Sequence, residues 1–525
     1  MKDMHDTKRN TKKGFTLLEL LAVLVILAAL ATIAIPIFTN NGGRAREIAH
    51  NETVALLQKQ AQAYLWEQGD TGVQADIIDT MVTTGYLRER PTNPIASGDG
   101  SGAFTVAVAA DGKVTVSPGL VEVTNTAQGG GTPPASDPEY NVAMGVNKPK
   151  LLTGMTPIKW DGSNNVVTTT ADDVAWYNYA GDVENGSYAT SEKWANVQLG
   201  DVDNSMFVWI PRYAYKITGD NTDSAADDKI EIEYLEGTST TSTAGFTVHP
   251  AFTYGATQLT GIWVAKFEAS QNASTNIKVV PSVASWRSIT VNNIYNKCIA
   301  MKTGSYGLNS SEVDTLMMRN RDWGAVTYLS EAVRDGVEIW INNDSGYVTG
   351  SAGSSASAGT DVGTISDYKN AQCQKASTTG NVYGIYDMSG GAWEYIASYV
   401  ANGNGILTTN GGSLVTAYGS NSGVADVLAV TEDGTPTYQE NYTQTEGNTT
   451  GLALHEIMKC GDNSTNTNTF KGYGDYQYFP YSANPFFLRG GNYSNGTSAG
   501  AFAGHYINGT ADSNVSFRPV LCGLD

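Results

Sequence analysis

The stretch from Lys12 to Asn40 constrains every reading of this chain. Two lysines and a glycine lead into KKGFTLLELLAVLVILAALATIAIPIFTN, which is almost wholly apolar from Phe15 to Phe38. As one helix it is long enough to cross a hydrocarbon layer of roughly 30 Å. Glu19 does not fit such a span, because a carboxylate inside a bilayer costs a few kcal/mol and calls for a partner. Residues 1–14 carry five Lys or Arg against two Asp, a bias that keeps them cytoplasmic and places the bulk of the chain outside. Pro36 removes one backbone hydrogen bond and predicts a bend. Beyond it Ile48, Val54, Leu56, Leu57, Ala61, Tyr64 and Leu65 recur at roughly helical spacing. The expectation is one bent helix of about fifty residues, or about 75 Å.

The string GFTLLELL resembles the leader and N-methylation site of type IV pilins and pseudopilins. That resemblance implies cleavage after Gly14 by a prepilin peptidase, methylation of the new N-terminal Phe15, and pairing of Glu19 with the terminal amine of a neighbouring pilin subunit. It places the protein in the cell membrane as a single-pass subunit before assembly, then in an extracellular pilus or on the cell surface. Residues 1–14 are then the leader, and 15–125 the pilin-like helix and head. In the head, FTVAVAADGKVTVS alternates with period 2 on both sides of Asp111-Gly112 and predicts a hairpin. GYLRERPTNP is similar to the pseudopilin and competence-pilin version of this region.

Residues 126–154 begin with the Gly/Pro/Ser stretch TAQGGGTPPASDPEY, lack apolar periodicity and read as a linker. From Met155 to Asp525 short aromatic-rich runs such as MFVWIPRYAYKI, AGFTVHPAF and GIWVAKFEAS alternate with polar loops, which predicts an α+β or mostly β domain. Short helices are expected around Ser311–Met318 and Leu329–Asp335. The formal net charge of -20 argues against a nucleic-acid partner, since phosphate binding needs clustered Lys and Arg. Cys298, Cys373, Cys460 and Cys522 form no CxxC pair, which leaves two disulfides or free buried thiols open. The five histidines show no paired metal-ligand spacing.

Three strings in this domain resemble the formylglycine-generating-enzyme, or sulfatase-modifying-factor, family: GNVYGIYDMSGGAWEY at 380–395, LRGGN at 488–492 and VSFRP at 515–519. The resemblance implies a large, loop-rich C-type-lectin-like fold. In those enzymes two cysteines after the RGG segment bind copper and carry out the oxidation. Residues 492–500 of this chain hold no cysteine. A thiolate is needed as soft ligand and nucleophile, so the expectation is no enzyme. The family's calcium ligands map onto Asp387, Gly390, Ala392 and Glu394, hard oxygen donors suited to that ion. Gly496 to Gly500 fits GxSxG without an apolar strand running into it, and Asp201 to Ser205 starts like an EF-hand loop but lacks its glycine and final acid.

Between the RGG and FRP strings lies NYSNGTSAGAFAGHYINGTADSN, residues 492–514, a Tyr/Ser/Asn/Gly mixture of the kind adaptable paratopes use. It resembles the variable region of retroelement-diversified C-type-lectin-like proteins. Candidate contacts for an unknown surface ligand, a glycan or a protein, are Asn492, Tyr493, Asn495, Thr497, His505, Tyr506, Asn508 and Asp512. Arg489 and Arg518 are expected to brace the segment, with Trp393 as core support. The leading functional expectation is a pilin-like subunit displaying a non-catalytic, ligand-binding (adhesin) domain. The alternatives are a fibre-coating pilin without a ligand and a surface-tethered peptide-modifying enzyme.

Mass spectrometry of the surface protein is expected to find N-methylated Phe15 as the first residue. An intact Met1, or a cut elsewhere, contradicts the processing site.

Overall fold

The computed structural model describes residues 50–95, 102–119, 140–179, 192–218, 229–334, 337–355, 367–428, 451–453 and 483–524, with short gaps inside these ranges, together with strands at 458–459, 470–472 and 475–477. Gly14, Phe15, Glu19, Pro36, Ile48, the Asp111-Gly112 turn and Cys460 lie outside the described residues. Among the described residues no helix is long and apolar enough to cross a membrane. The chain divides into two compact units, Met1–Ala135 and Ser136–Asp525.

In the first unit helix α1, residues 56–65, continues the predicted stripe: Val54, Leu57, Ala61 and Tyr64 are buried, at helical spacing. Leu56 departs from it, being 46% exposed, because it falls on the opposite face from Leu57 and Ala61. A short helix α2 (Ile78–Thr83) and the antiparallel hairpin of β1 (Thr105–Val108) and β2 (Val114–Ser117) complete the unit. Val106, Val108 and Val116 point inward, as the alternation requires, and close one apolar cluster with Ile78, Met81 and the α1 stripe.

The second unit takes up the chain at Ser136, inside the stretch expected to be linker as far as 154. Tyr140–Asn141 pairs there with Val146–Asn147, and Asn147 is buried, hydrogen-bonded through its side chain to Gly237 and Thr260. Short polar strands of this kind carry no periodic signal.

Seven antiparallel strands form the first sheet. They are β3 (Met155–Trp160), β4 (Val166–Thr168), β5 (Asn196–Leu199), β6 (Met206–Pro211), β7 (Gly261–Ala265), β8 (Val313–Met317) and the C-terminal β15 (Pro519–Gly523), in the order β8-β15-β7-β6-β5-β3-β4. β6 and β7 are buried at every residue, which explains why MFVWIP and GIWVA read as continuous apolar runs. The second sheet is centred on β9 (Trp393–Val400), β12 (Phe486–Gly490) and β13 (Gly500–Ile507), paired antiparallel. β10 (Asp426–Leu428) and β14 (Val515–Phe517) lie parallel to β9, and β11 (Asp475–Gln477) parallel to β13. Met458–Lys459 and Phe470–Gly472 extend it beyond β11.

Helices α3 (Val291–Ala300) and α4 (Asn320–Arg334) pack against these sheets. Two sequence expectations are corrected here. Ser311–Met318 is not a helix: its centre is β8, drawn into strand pairing by β15, a tertiary demand that overrides local propensity. The helix expected at Leu329–Asp335 starts much earlier, at Asn320. It is buried on nearly all sides, so it lacks the one-sided stripe by which helices are recognised. Cys298, Cys373 and Cys522 are buried.

Two buried ionisable groups contribute opposite pH dependences to this fold. Burial pushes the Glu192 carboxyl up to about 8, opposed by the Trp194 indole N–H that donates to it at 2.7 Å. Burial likewise pushes the His249 imidazole down to about 3, inside a cage of Tyr213, Tyr215, Phe252 and Tyr328. The folded protein keeps a proton on Glu192 that the unfolded chain releases, so stability falls as pH rises from about 4.5 to 8. The unfolded chain protonates His249 and the folded one does not, so stability also falls as pH drops from 6.5 towards 3. Melting temperature against pH, wild type against variant, reads each contribution. Glu192→Gln should remove its share of the alkaline decline, and an unchanged profile for that variant would refute the assignment.

Candidate functional site

The site grows from two buried arginines. β12 ends in Arg489-Gly490, and Gly490 and Gly491 both adopt left-handed conformations, with φ of 89° and 79°. A Cβ on Gly491 would sit 2.5 Å from that of Ala499, so only glycine closes this turn. The Arg489 guanidinium donates to Asn320 Oδ1 (3.2 Å) and to the carbonyls of Leu452 (3.0 Å), Ala453 (3.2 Å) and Ala501 (3.3 Å). Arg518 lies between β14 and β15. Its Nε donates to both Glu394 oxygens (3.0 and 2.8 Å), its Nη2 to Glu394 Oε1, and it reaches the carbonyls of Ala265 and Tyr386 at 3.1 Å each. Both guanidinium groups lie near the Trp323 ring, at 5.7 and 5.8 Å from its centre. The expected bracing by Arg489 and Arg518 is present. The core aromatic is Trp323 rather than Trp393, which is only half-buried because β9 turns it toward His505.

Residues 492–514 run between these braces. They form a loop with a 3-10 turn at Gly496–Ser498, then β13, then a second loop to Asn514. The middle is therefore a sheet strand, buried from Gly500 to Gly504.

Tyr493 packs edge-on against Tyr347, with ring centres 4.9 Å apart, and its backbone N–H donates to Gly391 at 2.8 Å. Tyr347 donates its hydroxyl to Asn514 Oδ1, and the Arg287 guanidinium lies 3.8 Å from the centre of the Tyr347 ring. The Asn514 carbonyl accepts from Trp393, whose ring lies 5.5 Å from His505, itself 4.5 Å from Tyr506. Asp512 Oδ1 accepts from Asn514 N–H at 2.7 Å. Tyr493, His505, Tyr506 and Asp512 thus belong to one face, joined through Asn514. Burial, opposed by the Tyr506 carbonyl, lowers the His505 pKa, so its ring is a neutral aromatic here.

The remaining candidates are placed differently. Asn492 and Asn495 are spent on their own turn: Asn492 N–H donates to Asn495 Oδ1 (2.7 Å), and Asn492 Oδ1 accepts from Ser494. Asn508 caps Thr510 in the same manner just beyond β13. Thr497 is exposed on the 3-10 turn. Arg287, Tyr347 and Asn514 were not among the candidates. The first two come from a segment more than 140 residues upstream, and no local pattern joins them to the window.

Asp387, Gly390, Ala392 and Glu394 gather at one buried knot, where both carboxylates face protein donors. Glu394 is taken up by Arg518. Asp387 accepts from Asn342 Nδ2 (2.8 Å), Gly350 N–H (3.0 Å) and Glu268 N–H (3.4 Å). A hard cation needs six or more free oxygens, and here the carboxylates already face protein donors. Among the described residues no group of three or more His, Cys, Asp or Glu is arranged to hold a metal. Burial, then the charges of Asp387 and Glu394, push the Glu268 carboxyl well above the carboxylate range.

Residues 9–35 match the family model of the prokaryotic N-terminal methylation motif. No curated protein matches the chain. The N-terminus is therefore type IV pilin-like, which is consistent with prepilin-peptidase processing, assembly with other pilins, and a membrane-anchored and then surface location.

Excess calcium and a chelator are expected to give the same melting curve. A calcium-dependent rise in melting temperature, abolished by Glu394→Gln, would show that the knot opens into a cation site.

Proposed function

We propose that this chain is a type IV pilin-like surface subunit whose second unit is a non-catalytic, C-type-lectin-like ligand-binding domain, an adhesin carried on a fibre or at the cell surface. The observation that supports it best is the face of Tyr493, Trp393, His505 and Tyr506 around Asn514, gripped at both ends by the buried arginines Arg489 and Arg518. Large, rigid aromatic surfaces with short polar neighbours bind proteins or glycans at low entropic cost. The RGG and FRP strings occupying the two bracing positions favour the lectin-like reading of the fold.

The non-catalytic reading rests on chemistry. Residues 492–514 hold no thiol, and burial pushes the thiols of Cys373 and Cys522 up to about 12, where they are neither nucleophiles nor soft ligands. A net charge of -20 disfavours nucleic acid. The competing reading is a subunit whose second unit only coats a fibre.

Replacing Tyr493 and Tyr506 together by Ala tests the proposal. Each substitution should cost more than about 1 kcal/mol of binding, the scale of interface anchors, while the melting temperature barely moves. Binding of full-length protein to target cells or a glycan array, wild type against the double variant, is the measurement. Equal binding by both moves the ligand off this face and leaves the fibre-coat reading as the better one.

A further inference from the structure

A cleft of about 660 Å³ opens beside this face, on a surface to which none of the residues 492–510 contributes. One wall is the outward side of α3, where Asn293, Asn296, Lys297 and Ala300 follow each other at helical spacing. The other wall is the Trp286–Thr290 segment, and Ala511 closes one end. Core packing does not explain the composition of the helix wall: α3 buries Val291, Ile294, Tyr295 and Cys298 on its opposite side. The volume falls in the range of pockets that enclose small ligands.

The lining is selective in its chemistry. It offers one half-buried indole, one ammonium, two primary amides and two hydroxyl residues, with no carboxylate, in a chain that holds 52 acidic residues against 32 basic ones. The nearest acid of the neighbouring loop, Asp512, turns its Oδ1 into Asn514 N–H. Lys297 Nζ is held in place by the Thr275 carbonyl at 2.7 Å and stands 5.8 Å from the Trp286 ring. An ammonium has three donors, so two remain for a ligand. The Asn296 amide is oriented by Ser413 at 3.2 Å, and the cleft is tied to the aromatic face by Ser288 N–H, which donates to the Asp512 carbonyl at 2.8 Å.

We infer that this cleft binds an acidic saccharide, a sugar ring bearing a carboxylate. The ring's apolar side meets Trp286, Ile289 and Ala300, its hydroxyls meet Asn293 and Asn296, and its carboxylate meets Lys297. A neutral sugar leaves the ammonium unanswered, and inorganic phosphate leaves the indole and the amides unused. The inference stands apart from the aromatic face, since it uses none of the residues assigned there.

The test is isothermal titration of detergent-solubilised full-length protein with a tetrasaccharide of galacturonic acid, with the neutral galactose tetrasaccharide and with inorganic phosphate. The uronate oligomer should bind, the neutral one at least tenfold more weakly, and phosphate should not compete. Asn293→Asp and Lys297→Gln lie outside the core and should each weaken uronate binding at least tenfold with the melting curve unchanged. Tyr493→Ala/Tyr506→Ala should leave uronate binding intact. The inference is overturned by no uronate binding, by equal binding of the neutral oligomer, by competition from phosphate, or by unaffected cleft variants. Loss of uronate binding in the tyrosine variant alone would also overturn it, while supporting the aromatic face as the ligand site.

Discussion

Arg518 sits where the chain leaves one sheet for the other. Val515–Phe517 pairs with β9 in the second sheet, Pro519–Gly523 pairs with β7 and β8 in the first, and the residue between them is fully buried. Its guanidinium holds Glu394 on β9 with one edge and reaches the carbonyl of Ala265 on β7 with another. Burying two charges costs several kcal/mol each, so the pair is no large net stabiliser. Removing one partner would strand the other at a cost of about 3–5 kcal/mol. What the pair contributes is position. A bidentate guanidinium satisfied on every side admits one geometry, and the two sheets are registered through it.

Trp323 and Arg489 extend that arrangement to the other end of the aromatic face. The indole N–H of Trp323 donates to Ala501 at 2.7 Å, and Arg489 meets the same carbonyl, so the start of β13 is fixed from α4 as well as from β12. Glu268, Asp387 and Glu394 crowd around a single arginine, and burial drives all three carboxyls upward.

Much of this was legible in the residues, and what was not has a physical reason. Val54, Leu57, Ala61 and Tyr64 announce a helix because one side of it is buried. FTVAVAADGKVTVS announces a hairpin because one side of each strand is. Arg489 and Arg518 could be marked as braces because each stands beside glycines or strand residues within a distinctive string. Signals failed where burial was complete or partners were distant. α4 is wrapped on nearly all sides and shows no stripe, β8 became a strand through β15 some two hundred residues later, and Tyr347, with Arg287 over its ring, meets Tyr493 from far away in the sequence. The Asn-rich loops misled in another way: composition suggests side chains free for a ligand, whereas Asn492, Asn495 and Asn508 hydrogen-bond their own turns.

That last point bears on how such a face can vary without unfolding the domain. The asparagines shape the loops locally, and the arginines hold their ends through buried guanidinium groups hydrogen-bonded to surrounding carbonyls and, for Arg518, to Glu394. The aromatic side chains of Tyr493 and Tyr506 are half-exposed, in contrast to the fully buried arginines. Shape is set by one group of residues and contact chemistry by another. A substitution at Tyr493 changes the half-exposed surface of the face, whereas a substitution at Arg489 or Arg518 leaves carbonyls or a carboxylate unpaired in the core.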